Sequence, residues 1–156
     1  MEDRLHLLQA TNAHIDRIRE LHLAGLRDTG ALSLDPRLDA DLADVEAAYA
    51  DGLFLLAAWV DEPHRIVGMG ALAHGDGGWQ VKRMRVEASQ RRCGVGRAIL
   101  RRLLAHARER GIAELTLDTA RSQGADQRLF EAHGFVHERD VVIGSIASRL
   151  YRPRLD

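Results

Sequence analysis

The chain has 156 residues, 46% of them hydrophobic, with 22 basic against 23 acidic residues and a formal net charge of −1. That length suits one domain with a substantial core, and the balanced charge speaks against a nucleic-acid protein working by bulk attraction, leaving a small partner as the expectation. The single cysteine, Cys93, excludes an intramolecular disulfide framework and a cysteine-built zinc site, and fits a reducing, cytoplasmic setting.

The first ten residues carry no apolar signal region, and no run approaches the ~18 apolar residues of a membrane span, so neither export nor embedding is expected. Residues 5–8 read as a short first strand. Thr11 and Asn12 then offer side-chain oxygens to cap a helix beginning near Ala13, with Ile15, Ile18 and either Leu21 or Leu23 on its apolar face. After a break over residues 30–36, a second helix is expected over about 38–50, with Leu42, Val45, Ala48 and Tyr49 along its stripe. Residues 53–60 and 65–73 are nearly unbroken apolar runs around the turn Asp61-Glu62-Pro63-His64 and read as a hairpin. A second turn at 74–78 leads into a strand over 79–87. Strict alternation puts Val81, Arg83, Arg85 and Glu87 on one of its faces and Lys82, Met84 and Val86 on the other.

Residues 95–110 are helical in pattern, with Val95, Ile99, Leu100, Leu103, Leu104 and Ala107 on one side and Gly111 as the stop. A strand over 112–119, a helix over 123–133 and strands over 135–142 and 146–151 complete the chain. This order implies a mixed sheet covered by helices on both faces, with the crossover at 79–119 joining two parallel strands.

The strand at 79–87 runs through a polar turn into Arg91-Arg92-Cys93-Gly94-Val95-Gly96, where a helix starts with its amides unpaired. Such a terminus holds phosphate. Glycines at 94 and 96 remove side chains that would keep an anion from the backbone, the helix dipole presents its positive end, and Arg91, Arg92, Arg97 and Arg101 add charge. Spacing decides between the known phosphate loops. No Gly-x-x-x-x-Gly-Lys-Ser/Thr string exists. A dinucleotide fingerprint from Gly94 needs a small residue where Ile99 stands, and its other match, at residues 68–73, is followed by a turn instead of a helix. A dinucleotide-dependent oxidoreductase is therefore disfavoured. The pattern Arg/Gln-x-x-Gly-x-Gly is met, at Arg91, Gly94 and Gly96.

With Lys82-Arg83-Met84-Arg85-Val86 before that loop, and Leu115-Thr116-Leu117-Asp118-Thr119 and Leu129-Phe130-Glu131-Ala132-His133-Gly134-Phe135 after it, residues 79–137 resemble the GNAT superfamily of acetyl-CoA-dependent N-acetyltransferases. The resemblance implies an α/β (α+β) fold in one domain over residues 1–156. Its sheet would be mixed, mostly antiparallel and seven-stranded, with a splayed central parallel pair and about four helices on both faces. It implies acetyl-CoA as cofactor, with Met84, Arg85 and Val86 bonding pantetheine through their backbone. Arg91, Arg92, Cys93, Gly94, Val95, Gly96 and Arg97 would hold the pyrophosphate. Gln123 stands where relatives often have a cofactor-contacting asparagine, and Phe130 would pack on the pantetheine arm.

Direct transfer needs a neutral amine, and a proton helps the departing thiolate. By resemblance Asp118 is the first candidate for base, its short side chain requiring an intervening water. Glu87 is the second, against a plain reading as a solvated strand-end carboxylate. The tyrosine that relatives often use as general acid is Phe130 here. A phenyl ring donates no proton, so the thiolate leaves to water, or Tyr151 or His133 serves, or the domain is a non-catalytic acyl-CoA-binding regulatory module.

The other polar features have plainer readings. Among eight histidines no helical pair stands near a third ligand, since Gly134-Phe135 separates His133 from His137, and no metal is expected. Cys93 contributes backbone and no acetyl-cysteine, and the arginines after Gly96 form a solvated face, with no nucleic-acid role. Asp35, Asp39, Asp41, Asp44 and Glu46 crowd the second helix, which in this superfamily borders the acceptor site. They would suit an amine-bearing small molecule or peptide, with a solvated acidic face as the commoner case. Dimers are frequent among similar proteins, so a homodimer is one expected assembly.

Overall fold

Strands β2 (Leu53–Trp59) and β3 (Gly68–Gly75) are apolar almost throughout because both of their faces are covered. Along β2, Leu55 and Ala57 enter one hydrophobic cluster while Phe54, Leu56 and Ala58 enter another on the opposite side, the two-residue period of a strand. The computed structural model describes residues 4–27, 38–75, 77–120, 124–143 and 146–153. Around β2 and β3, β1 (Leu5–Gln9), β4 (Gly78–Val86), β5 (Leu115–Ala120), β6 (Phe135–Ile143) and β7 (Ile146–Pro153) complete one seven-stranded sheet in the order β1-β2-β3-β4-β5-β7-β6. All its pairings are antiparallel except β4 with β5. The mixed, mostly antiparallel sheet with one internal parallel pair is the architecture expected from the sequence.

Helices α1 (Ile15–Arg27) and α2 (Val45–Ala48) cover one face, burying Ile18, Leu21 and Val45 against Met69 and Ala71 of β3. On the other face α3 (Val95–Glu109) packs on β2, β3 and β4 through Val95, Ile99, Leu100, Leu103 and Ala107. Helix α4 (Gly124–Ala132) adds Phe130 to the same cluster. Helix α3 ends as Gly111 predicts: its φ is +71°, its N–H bonds Arg108 O, and the Ile112 N–H reaches back to Ala107 O at 2.9 Å, a paired closure of the last turn. No described helix is long and apolar enough to cross a membrane.

Local chemistry shifts several boundaries. The N-terminal cap is Thr11 alone: its hydroxyl accepts from Ala13 N at 3.3 Å and opens a short 3-10 turn over residues 12–14, which places the start of α1 at Ile15. The Asn12 side chain instead reaches α2, donating to Asp44 Oδ1 at 2.9 Å and accepting from Glu46 N at 3.2 Å. The single second helix expected over 38–50 is broken into a 3-10 turn, Ala40–Ala43, and α2. Asp44 is extended between them, its side chain capping Ala47 N at 3.1 Å. Strand β5 begins at Leu115 and not at Ile112, because its pairing with β4 begins at Trp79, one residue into that strand.

Candidate functional site

The parallel pair β4–β5 is short. Trp79, Gln80 and Val81 pair with Leu115, Thr116 and Leu117, and there the ladder ends although the strands continue to Val86 and Ala120. The cause lies in the next residues of β4. Opposite β3, Lys82 pairs with Ala71 and Arg85 with Met69, so Arg83 and Met84 together face Gly70, a bulge. Arg83 has φ 62°, a left-handed conformation that costs a non-glycine residue roughly 1–2 kcal/mol. A bulge bends and twists its strand, and here it carries β4 away from β5.

The bulge also overturns the alternation read from the sequence. Val81 and Met84 share the α3-side cluster, Val86 lies on that side near Gly96, and Arg83 and Arg85 both turn toward α1, where they approach His22 and Gly25. Beyond Val81 the ladder with β5 does not continue, so the backbone of residues 84–86 borders the opening, with Met84 O accepting from the Arg85 guanidinium at 3.3 Å.

At the same C-terminal end of β4 the chain passes through a 3-10 turn, Ala88–Gln90, into the loop before α3. Arg92 (φ 64°) and Gly94 (φ 86°) are both left-handed, and Gly94 caps α3 without a side-chain bond. The first helical bond at this end is Ala98 N to Gly94 O at 3.0 Å, so the amides of Val95, Gly96 and Arg97 have no intrahelical acceptor. Arg91, Arg92 and Arg97 are exposed around them, and Cys93 Sγ lies 3.6 Å from Arg91 O. Gly94 is needed for its conformation. Gly96 is not there to clear space for an anion: a Cβ on it would meet Leu129 at 3.3 Å and Val86 at 3.6 Å, so its bareness lets α3 start close against α4 and β4. Gly68 and Gly70, the accidental fingerprint, do likewise for the body of α3. A Cβ at Gly68 would lie 2.6 Å from Val95 Cγ1, and one at Gly70 2.5 Å from Met84 Sδ.

Asp118 lies on β5 one residue past the last parallel pair, opposite Leu150 of β7, at the mouth of the opening. Glu87 is no solvated carboxylate. Arg17 reaches its Oε1 at 3.0 Å, Arg65 its Oε2 at 2.6 Å, and Ser89 Oγ donates at 3.0 Å. Burial pushes its proton affinity up, but Ser89 and the two arginines outweigh that and hold it below the ordinary glutamate range. Gln123 lies outside the described residues. Phe130 is 2% exposed, packed edge-on to Phe135 and Tyr151 with ring centres 6.3 and 6.1 Å away. Tyr151 is fully buried and donates to Glu131 Oε1 at 3.3 Å, with burial and then Glu131 raising its hydroxyl's proton affinity. His133 Nδ1 lies 2.9 Å from Leu129 O. No group of three or more metal-ligating side chains occurs among the described residues.

The acidic stretch after residue 38 holds a network that the sequence did not reveal. Arg83, its side chain 7% exposed, places Nε on Asp41 Oδ2 at 3.0 Å and Nη2 on Asp41 Oδ1 at 2.5 Å. Nη1 reaches Asp39 Oδ1 at 2.8 Å and His22 Nε2 at 3.2 Å, and Nη2 also donates to Leu38 O at 2.9 Å. Four of the five guanidinium N–H positions thus have an oxygen acceptor, while His22 Nε2, also 3.0 Å from Asp39 Oδ1, either donates there or accepts from Nη1. Tyr49 donates its hydroxyl to Asp41. Burial favours the neutral form of Asp41, yet the Arg83 hydrogen bonds and charge hold its carboxyl below the usual range. His22 is driven down to about 4 by burial and by the charges of Arg83 and Arg85, against Asp39, and is neutral near pH 7. Asp39 and Asp41 are thus neither a solvated face nor carboxylates open to an acceptor amine, and Asp44 and Glu46 are engaged with Asn12. Asp35 lies outside the described residues. The one sequence signal was Lys82-Arg83, two adjacent cations in a strand read as alternating.

A family model described as Acetyltransferase (GNAT) family matches residues 15–135. Human N-acetyltransferase 8 is 30% identical over 108 residues, 65% of this chain and 48% of that protein, so the chain spans about half the length of this curated relative. Among solved structures, an acetyltransferase of GNAT family from Staphylococcus aureus Mu50 superposes with a TM-score of 0.80 at 21% identity, over 97% of this chain and 99% of its own. yncA from Salmonella typhimurium, solved with its cofactor acetyl-CoA, gives 0.76 at 19% identity, over 98% and 95%.

Proposed function

The chain belongs to the GNAT acetyltransferase family, and from that premise we propose that it transfers the acetyl group of acetyl-CoA to the amine of a small molecule or peptide by direct attack. The observation that carries this reading is the coincidence, at one end of the sheet, of the β4–β5 opening beyond Val81 with the bare, glycine-started N-terminus of α3. The residues fit a pantetheine pyrophosphate. The backbone of residues 84–86, past the last β4–β5 pair, borders the opening and can offer an extended chain bonds of the kind a neighbouring strand would make. The amides of Val95, Gly96 and Arg97, turned by left-handed Arg92 and Gly94 and surrounded by Arg91, Arg92 and Arg97, suit a pyrophosphate, with Cys93 contributing backbone. Acetyl-CoA, when bound, supplies an acetyl group activated as a thioester.

Of the two carboxylates, Asp118 is the proposed base, taking the proton of the acceptor's ammonium at the mouth of the opening, through a water. Glu87, held ionised by Arg17 and Arg65, is a weaker base, and in this reading it ties the end of β4 to α1 and the β2–β3 turn. The leaving thiolate takes its proton from solvent. Phe130 offers none, Tyr151 donates to Glu131 inside the core, and His133 Nδ1 is engaged by Leu129 O.

Free-thiol release from acetyl-CoA across a panel of amines, antibiotics and peptide N-termini tests this. Turnover with at least one acceptor, lost in Asp118→Asn, supports it. Saturable acetyl-CoA binding with no release on any acceptor favours the second reading, a non-catalytic acyl-CoA-binding module, which Phe130 in place of a proton donor motivates.

A further inference from the structure

We propose that Arg83 is a positioning residue for acetyl transfer: its guanidinium locks residues 38–49 to the bulge of β4, so that this segment and the β4–β5 opening are set as one body. The proposal rests on reading that opening as the acetyl-CoA site. Three observations meet at Arg83. Its backbone is the left-handed residue of the bulge, two residues past the last pair of β4 with β5. Four of its five N–H donors go to one short stretch over forty residues away, through Leu38 O, Asp39 and Asp41, with His22 of α1 alongside. Tyr49, bonded to Asp41 and packed edge-on to Phe54 of β2 at 4.9 Å, carries the connection to the far end of that stretch.

Burying such a network is a poor route to stability alone, since well-packed apolar side chains often replace buried ion pairs without loss. What a guanidinium adds is direction. Its planar fork fixes two carboxylates at defined angles, and a reaction at those angles holds the Arg83 backbone in a conformation that arginine otherwise avoids. The next residue is Met84, whose backbone begins the stretch of β4 that borders the opening. A shift of residues 38–49 is thereby transmitted to the stretch that grips the cofactor, and occupancy of that stretch to residues 38–49. Asp39 and Asp41 are committed to Arg83, so they steer no acceptor amine.

Hydrogen exchange of the wild type and of Arg83→Lys, each with and without coenzyme A, tests the linkage. In the wild type coenzyme A slows exchange at residues 82–86 and 95–97 and also at 40–49. In Arg83→Lys the first effect persists, the second disappears, and the Kd for coenzyme A rises roughly 3- to 30-fold, the span of single-residue coupling. Protection confined to 82–97 in the wild type, or an unchanged pattern in Arg83→Lys, overturns the proposal. No protection anywhere in the wild type defeats the acetyl-CoA reading itself and the proposal with it. Should Arg83→Lys not fold, Asp39→Asn, which keeps the Asp41 fork, must weaken protection at 40–49, and full protection there overturns the proposal.

Discussion

Replacing Gly68 with alanine inserts one methyl group where α3 rests on β3, close to the helix end proposed to grip the cofactor. The added Cβ would stand 2.6 Å from Val95 Cγ1 and 3.2 Å from Ile99 Cδ1. Comfortable carbon contacts lie at about 3.5–4.0 Å, so something must yield by roughly 1 Å. Ile99 can turn its terminal methyl away. Val95 cannot, because its β-branch is stiff and its side chain is 1% exposed, so the first turn of α3 moves instead. Overpacking of this kind costs about 1–3 kcal/mol, against about 0.4–1 kcal/mol gained by stiffening the unfolded chain, leaving a net loss of roughly 1–2 kcal/mol. At this chain length that lowers Tm by about 2–8 °C. The same shift displaces the amides of Val95, Gly96 and Arg97, so the Kd for acetyl-CoA rises more than the lost stability accounts for. Thermal melts by circular dichroism and titration calorimetry on the same preparations measure both. A Gly68→Ala protein with wild-type Tm and wild-type Kd would refute the claim that α3 is seated by this glycine.

Gly94→Ala imposes a left-handed φ on a residue with a Cβ and lowers stability by about 1–2 kcal/mol, with acetyl-CoA affinity falling further; denaturant melts and calorimetry follow both. Asp118→Asn lowers the rate of thiol release on the order of 10²–10⁴-fold while the acetyl-CoA Kd stays unchanged, as a steady-state assay beside calorimetry checks. His22 is held at about 4 against its ordinary 6.5, so between those pH values the unfolded chain binds the extra proton and stability rises with pH. Acidifying from pH 6.5 to 4 therefore removes up to roughly 3 kcal/mol, a loss that His22→Gln flattens; Tm against pH for both proteins decides it.

The elements were legible because their physics is local. The amphipathic stripe of α3, its glycine stop and the apolar runs of β2 and β3 each state their own geometry. The loop from Arg91 to Gly96 was legible too, as a glycine-started helix after a strand. What escaped was non-local. The bulge at Arg83 goes with the capture of its guanidinium by Asp39 and Asp41 from another part of the chain, and no periodicity in β4 encodes that capture. The same capture commits Asp39 and Asp41 to Arg83 and leaves neither open to an acceptor amine. The break of the second helix at Asp44 comes from a side chain that caps its own backbone and meets Asn12. Gly96 was misread because a sequence shows that a side chain is missing but not which side it would have occupied.

Titration calorimetry with acetyl-CoA tests the central claim most directly. The β4–β5 opening and the N-terminus of α3 predict saturable binding at one site per chain, weakened in Gly94→Ala. Absence of binding heat, or equal binding by Gly94→Ala, would contradict the account.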